Sequence, residues 1–222
     1  LKLKSAVITA DIIKSSSYDP KSYELIINQL KQEANLIKKD FAPTYVEFEI
    51  SRGDSFQLVL YDANKALQIA LRFKAAINKI VLSNKKSKSS SKIVDMRMSI
   101  GVGAIEYESN IVSESNGPAF HYSGRGFDNL MKRNDIKTMV HTDNTNVNDE
   151  FKTSLKLLDY LIDKWSIASA EVVYYLLQGL TETKIAELLG ISQAAVNLRK
   201  KAAGWDEIQS LLKRYEQVID AL

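Results

Sequence analysis

The chain has 222 residues, 45% of them hydrophobic and 26% charged, the make-up of a folded globular protein with room for a mid-sized domain and a smaller one. It has no cysteine, which excludes disulfides and thiolate metal sites and points to a cytoplasmic address. No apolar run reaches the ~18 residues of a membrane helix, so no membrane partner is expected. The net charge of +3 allows nucleic-acid binding without arguing for it, because that signal is a local basic stripe.

Ser5–Ile13 is an apolar, β-branched run interrupted by Asp11 and followed by a Lys-Ser-Ser-Ser turn, which reads as a first strand. Asp19-Pro20 is a helix start signal, and Lys21–Lys39 carries Leu25, Ile26, Leu30, Ala34 and Ile37 near helical spacing. Thr44–Ile50 and Phe56–Tyr61 are strand runs joined by Ser51-Arg-Gly-Asp-Ser55, a hairpin signal. In the first run Tyr45, Phe48 and Ile50 are apolar, while Glu47 and Glu49 share a wet face. Ala63–Leu82 carries a broad apolar helical stripe, and the Lys/Ser stretch Asn84–Lys92 reads as a solvated loop. Ile93–Ala104 is a strand, Gly117–Arg133 a helix and Ile136–His141 a last short strand. The order β-α-β-β-α-β-α-β predicts an α+β fold of ferredoxin-like, split βαβ plan, an antiparallel sheet with its helices on one face. Thr142–Asp149 has linker composition. The expected division is an α/β domain over 1–143 and an all-α domain over 144–222.

Within the second domain, residues of about 181–202 have the grammar of a helix-turn-helix. Thr181 and Ser192 are N-cap residues, Gly190 suits a turn of positive φ, and Ile185, Leu189, Ile191 and Val196 supply a small shared core. Ser192, Gln193, Ala194 and Asn197 fall early on the second helix, with Arg199 and Lys200 behind them. That pattern predicts base-edge contacts from the first turns and phosphate contacts from the basic end, on double-stranded DNA. A helical hairpin used only for packing is the alternative. The apolar stripe of the last helix, Ile208, Leu211, Leu212, Tyr215, Val218, Ile219 and Leu222, fits either a cover for the core or a dimer seam.

Three pieces of the first domain could act together. Asp11 ends the first strand, Asp54 sits in the hairpin, and the two strand ends lie side by side in a split βαβ sheet. Paired carboxylates there suit Mg²⁺ held against phosphates. Gly117–Arg125 is a glycine-bounded helix start with His121 and Arg125 one turn apart, the form of a phosphate clamp. Simpler readings remain beside these: Asp11 and Asp54 as turn formers, His121 as a helix-surface residue, His141 as structural.

These pieces together resemble the class III nucleotide cyclase domain over about 5–142. Ala10–Ser16 looks like the family's first metal-binding segment, Gly53-Asp54 like its second, and Arg97–Gly103 like its glycine-ended strand. Gly117-Pro-Ala-Phe-His121 with Arg125 is similar to its Gly-x-x-Val-Asn-x-x-x-Arg helix. The resemblance implies Asp11, Ile12 and Asp54 as ligands of Mg²⁺ or Mn²⁺. It implies Ser15, Gly53, Asp54, Gly117 and Arg125 around a nucleotide and His121 and Arg125 as catalytic groups; a homodimer is expected from the helix-turn-helix, which would bind an operator as a dimer. His121 stands where that family has Asn, and Ile50 where many active members carry Lys or Glu. The whole chain looks closer still to bacterial SatD-like proteins, through Ala10–Ser15, Phe48–Gln57, Ser115–Phe120, Ser123–Asp128 and the Ile191–Val196 segment. Three functions follow in order: a DNA-binding transcription regulator whose first domain senses a nucleotide or another phosphorylated ligand; a metal-dependent nucleotide cyclase or nucleotidyltransferase with a helix-turn-helix docking module; and a catalytically inactive dimerisation scaffold.

Overall fold

The side chain of Asp19 accepts hydrogen bonds from the amides of Lys21 and Ser22, and Pro20 opens the helix α1 (Pro20–Asp40) behind it. This cap fixes where the chain leaves the first strand, β1 (Ser5–Ile12), and turns back along it. The computed structural model describes residues 4–41, 46–82, 93–109, 111–133 and 135–222. The expected Lys/Ser loop, and Thr44 and Tyr45 of the expected second strand, lie outside them. The hairpin follows as β2 (Val46–Arg52) and β3 (Ser55–Leu60), then α2 (Ala66–Asn78), β4 (Met96–Gly103), α3 (Pro118–Met131) and β5 (Thr138–His141). Five helices complete the chain: α4 (Thr145–Ile162), α5 (Ile167–Leu177), α6 (Glu182–Leu189), α7 (Gln193–Ala202) and α8 (Trp205–Ala221).

The strand order is β2-β3-β1-β4-β5. The first four strands pair antiparallel, as the split βαβ plan requires. β5 instead pairs parallel with β4, so the sheet is mixed rather than antiparallel, because the α3 crossover returns the chain in the same direction. The expectation of helices on one face is also corrected. Alternation sends Ala6, Ile8, Ala10 and Ile12 of β1 into the main core with α1 and α2, while Val7 packs on the other face with Val59, Val112 and Ala119. α3 lies on that second face. Glycines allow it there: a Cβ on Gly101 would stand 2.2 Å from the Ala119 carbonyl oxygen and 2.3 Å from the Ser123 amide nitrogen. On α3 itself, a Cβ at Gly126 would meet Ser99 Oγ at 2.2 Å.

The polar stretch expected to be a linker is the start of α4. Asn144 caps that helix by accepting from the amides of Asn146 and Val147, and Asn148 Oδ1 accepts from the Thr142 amide at 2.8 Å. Its Asn/Asp/Thr composition serves capping as well as it serves loops. Downstream, one apolar core runs through both halves. Phe151, Leu155, Val173, Tyr174, Trp205, Ile208, Tyr215 and Ile219 belong to the cluster that holds the α1/α2 face of the sheet. α8 therefore covers the core. Polar bonds reinforce the junction: Tyr174 Oη donates to Glu33 Oε2 at 2.7 Å, Glu33 is paired with Arg72, and Tyr215 Oη donates to the Ala63 carbonyl at 3.2 Å.

Candidate active site

At one end of the sheet β1 finishes while β3 and β4 begin, and the register places Asp11 between Ser55 and Arg97. All three face away from the main core, by the alternation that buries Ala10, Phe56 and Met96 on the other side. Asp11 is only 6% exposed. Its carboxylate is held in a fork by Arg97, with Nε donating to Oδ1 at 3.1 Å and Nη2 to Oδ2 at 2.8 Å. A carboxylate this buried needs such a counter-charge.

Asp54 sits on the hairpin turn beside it. Gly53 has φ +59°, a conformation that suits glycine, and the Asp54 carbonyl accepts from the Ile12 amide at 3.3 Å. Tyr23 of α1 lies against this turn, and burial, with the charge of Asp54 added, raises its hydroxyl pKa. Beyond Ile12 the chain swings through Lys14, the one non-glycine residue of positive φ among those described, into a single turn at Ser15–Ser17. Ser17 Oγ and its amide both donate to the Lys14 carbonyl there, at 2.7 and 2.9 Å. Asp11, Ile12, Gly53 and Asp54 are thus neighbours, with Ser15 three residues beyond Ile12.

The remaining site residues stand elsewhere. α3 turns Ala119, Ser123, Gly126 and Leu130 toward the sheet, which leaves His121 and Arg125 exposed on its outer face. Gly117 packs against Ala104, past the far end of β4. From Arg97 to Ala104 the chain covers about 23 Å at ~3.3 Å per residue. Gly117 is thus remote from the two aspartates within one chain, while His121 and Arg125 point outward from α3.

Between α3 and the sheet lies a row of buried and half-buried polar groups. Gln57 Nε2 donates to Thr9 Oγ1 at 3.3 Å, and Thr9 Oγ1 to Ser123 Oγ at 3.1 Å. Ser99 Oγ and His141 Nε2 are buried without a hydrogen-bond partner among the described residues. Burial lowers the His141 pKa, favouring its neutral form.

The residue that sequence reasoning missed is Arg97, read only as part of a glycine-ended strand. Its signal was present: a charged side chain between Met96 and Met98 must leave the core face that both methionines occupy. As for a metal, no cluster of three or more His or acidic residues exists among those described. Mg²⁺ or Mn²⁺ bound with phosphates needs fewer, typically one or two carboxylates. Asp11 and Asp54 on adjacent strand ends match that donor set by type, and both oxygens of Asp11 accept from Arg97 in this structure.

In the helical half, Thr181 Oγ1 accepts from the Lys184 amide and Ser192 Oγ from the Ala195 amide, and Gly190 has φ +63° between α6 and α7. Val172, Ile185, Ala186 and Val196 form the local core. Ser192, Gln193 and Ala194 are exposed. Of the later polar positions of α7, Asn197, Arg199 and Lys200 are engaged by acids, while Lys201 is exposed. Glu182 accepts from Asn197 Nδ2 at 3.4 Å and from Lys200 Nζ at 3.1 Å, and Arg199 stands 4.0 Å from Glu171. Residues 144–222 carry 9 Lys and Arg against 11 Asp and Glu, so this half lacks a general basic excess.

The architecture is a mixed α+β sheet with helices, and solved nucleotide cyclase domains are similar to it at low identity. A bacterial light-regulated adenylyl cyclase matches with 10% identity and a TM-score of 0.45, over 62% of this chain and 75% of that one. The catalytic core of a rhodopsin-guanylyl cyclase with converted specificity, in complex with ATPαS, gives 19%, 0.39, 56% and 71% in the same terms. The active GGEEF domain of a Vibrio cholerae diguanylate cyclase gives 12%, 0.42, 64% and 85%. No curated protein matches the chain. The model of the SatD family matches residues 5–219, and the chain belongs to that family. No helix among the described residues is long and apolar enough to cross a membrane.

Proposed function

We propose that the α/β half binds a nucleoside triphosphate with Mg²⁺ or Mn²⁺ at the Asp11/Asp54 end of the sheet and acts on its phosphates. The observation that carries this reading is the placement of Asp11 and Asp54 on adjacent strand ends. Asp11, Asp54 and the Ile12 carbonyl would hold the cation, and Ser15 and Gly53 would border the phosphates. A cation bound there supplies charge neutralisation and Lewis acidity at a phosphoryl oxygen. Arg125 and His121 face outward, so they would serve the site of a second copy in a symmetric dimer, Arg125 on phosphate charge and His121 as a proton carrier. The cyclase or nucleotidyltransferase class follows from the motif resemblance.

The test is calorimetric titration with ATP and with GTP, each with Mn²⁺ or with EDTA, on the native chain and on Asp11→Ala/Asp54→Ala, followed by a pyrophosphate-release assay. Metal-dependent binding absent from the double variant supports the reading. Equal binding by both proteins, or none by either, sinks it. If the site is shared, mixing Asp54→Ala with Arg125→Ala chains restores part of the activity that each lacks alone.

A second reading, DNA binding through α7, is favoured by the exposed Ser192, Gln193 and Ala194 at the start of that helix. It gives the regulator function, with the nucleotide as signal. The acids around Asn197, Arg199 and Lys200 place it second.

A further inference from the structure

The fork between Arg97 and Asp11 does more than balance a buried charge. Asp11 offers two oxygens, and both already accept from one guanidinium. A divalent cation approaching the same carboxylate meets Arg97 within a few ångströms, and two positive groups at that separation repel strongly at a site shielded from water. Arg97 also keeps one side open: it is 19% exposed, and its Nη1 makes no hydrogen bond among the described residues. Its head can therefore turn away from Asp11, provided another anion receives it.

Resting on the nucleotide reading above, we propose that Arg97 is a latch on Asp11. It keeps the carboxylate from free divalent metal and releases it when a polyphosphate offers the guanidinium a second partner. Metal and nucleotide then enter as a pair. Free Mg²⁺ or Mn²⁺ binds poorly, and each ligand raises the affinity of the other by the same factor. The latch also keeps Asp11 compensated while the site is empty, when an unpaired buried carboxylate would be costly.

The experiment measures Mn²⁺ affinity by electron paramagnetic resonance on the full chain, with Mn²⁺ alone and with a non-hydrolysable nucleoside triphosphate analogue. Native protein, Arg97→Gln and Arg97→Lys are compared, with thermal melts to verify folding. Arg97→Gln is expected to bind Mn²⁺ alone about tenfold more tightly than the native chain, and to lose most of the increase that the analogue gives native protein. Arg97→Lys keeps the charge with fewer contacts and should fall between them, which preserves the test if the glutamine variant unfolds. Equal Mn²⁺ affinity of native and variant chains without nucleotide overturns the latch, as does weaker binding by both variants; analogue-dependent Mn²⁺ binding in that same experiment would leave the nucleotide site standing. No Mn²⁺ uptake by any of the three proteins, even with the analogue, removes the site itself and the latch with it.

Discussion

A buried polar cluster reinforces the apolar junction between the two halves, and Tyr174→Phe tests it with the smallest change. Glu33 is fully buried and Arg72 is 2% exposed. The carboxylate takes Arg72 Nε on one oxygen and Tyr174 Oη on the other, and Arg72 Nη1 reaches Asp40 at 2.5 Å. Removing the tyrosine hydroxyl deletes one hydrogen bond to a charged group and leaves that oxygen of Glu33 without a donor. Such bonds contribute about 1.5–3 kcal/mol, so a loss of about 2 kcal/mol is expected. Glu33→Gln keeps the shape but removes the charge facing Arg72. Breaking a buried pair costs about 3–5 kcal/mol. Burial nevertheless outweighs Arg72 and raises the Glu33 pKa, so charging Glu33 already offsets part of the gain, and about 3 kcal/mol is the expected loss. The two substitutions touch the same carboxylate and should not add. Guanidinium unfolding gives the readout, because Trp165 and Trp205 are the chain's two tryptophans and both are buried in the helical half, whereas far-ultraviolet dichroism reports every helix and strand. A shared core requires the two signals to move together and Tyr174→Phe to lower both midpoints equally. Separate fluorescence and dichroism transitions, or a loss below about 0.5 kcal/mol, would refute the reasoning.

Three further outcomes follow from the packing and the charges. Burial pushes the Asp95 pKa up, but the ammonium groups of Lys74 and Lys137 overcome it and hold the value at about 2. A depressed folded pKa contributes stability above the ordinary carboxylate range, so stability should fall as the pH drops from about 4 toward 2, and Asp95→Asn should flatten that part of an acid-unfolding profile. Gly101→Ala drives a Cβ into the backbone of α3 at Ala119 and Ser123. It should cost about 3 kcal/mol in chemical unfolding, and a loss below about 1 kcal/mol would mean that α3 does not seat as described. Lys200 holds the Glu182 pKa down by its hydrogen bond and has its own raised in return, so Glu182→Gln should leave Lys200 with Asp206 alone, 3.6 Å away, and make that cation more available on α7. If that helix meets DNA, the variant should bind duplex more tightly in a gel-shift assay and steepen the dependence of log K on log salt by about 1; no shift with either protein assigns α6 and α7 to protein docking instead.

The order of elements through β5 was legible because each carries its own period. Apolar positions of Lys21–Lys39 recur at three and four residues, and those of β4 alternate at Met96, Met98, Ile100 and Val102. What the period could not give was the face each helix takes. α3 reaches the far side of the sheet through the absence of side chains at Gly101 and Gly126, and an absence has no hydropathy signal. The polar run from Thr142 was misleading for a similar reason: capping side chains and loop side chains are the same residues, and only the bonds of Asn144 and Asn148 distinguish them. The pairing of the Asp11 and Asp54 strand ends was readable from topology alone. Arg97 was readable in principle from strand alternation, but its bond to Asp11 needed the register between β1 and β4.

The division of the site sets a condition on any assembly. On the proposed nucleotide reading, Asp11 and Asp54 lie at one sheet end and Arg125 and His121 face outward from α3, so a pocket that used all four would draw on two copies. α8 cannot supply the seam, because Ile208, Tyr215, Val218 and Ile219 are already spent on the core. The seam would have to run over the outer face of α3 and the neighbouring open part of the sheet, where His121, Arg125 and Asp128 are exposed. A polar seam of that kind is weak by itself. A polyphosphate bound between Asp11 of one copy and Arg125 of the other would contribute much of its stability, so association and ligand binding should be linked. On the proposed nucleotide reading, the helical halves, fixed to the same core, would be carried into one mutual arrangement by that step, which would couple the sheet end to whatever α6 and α7 bind.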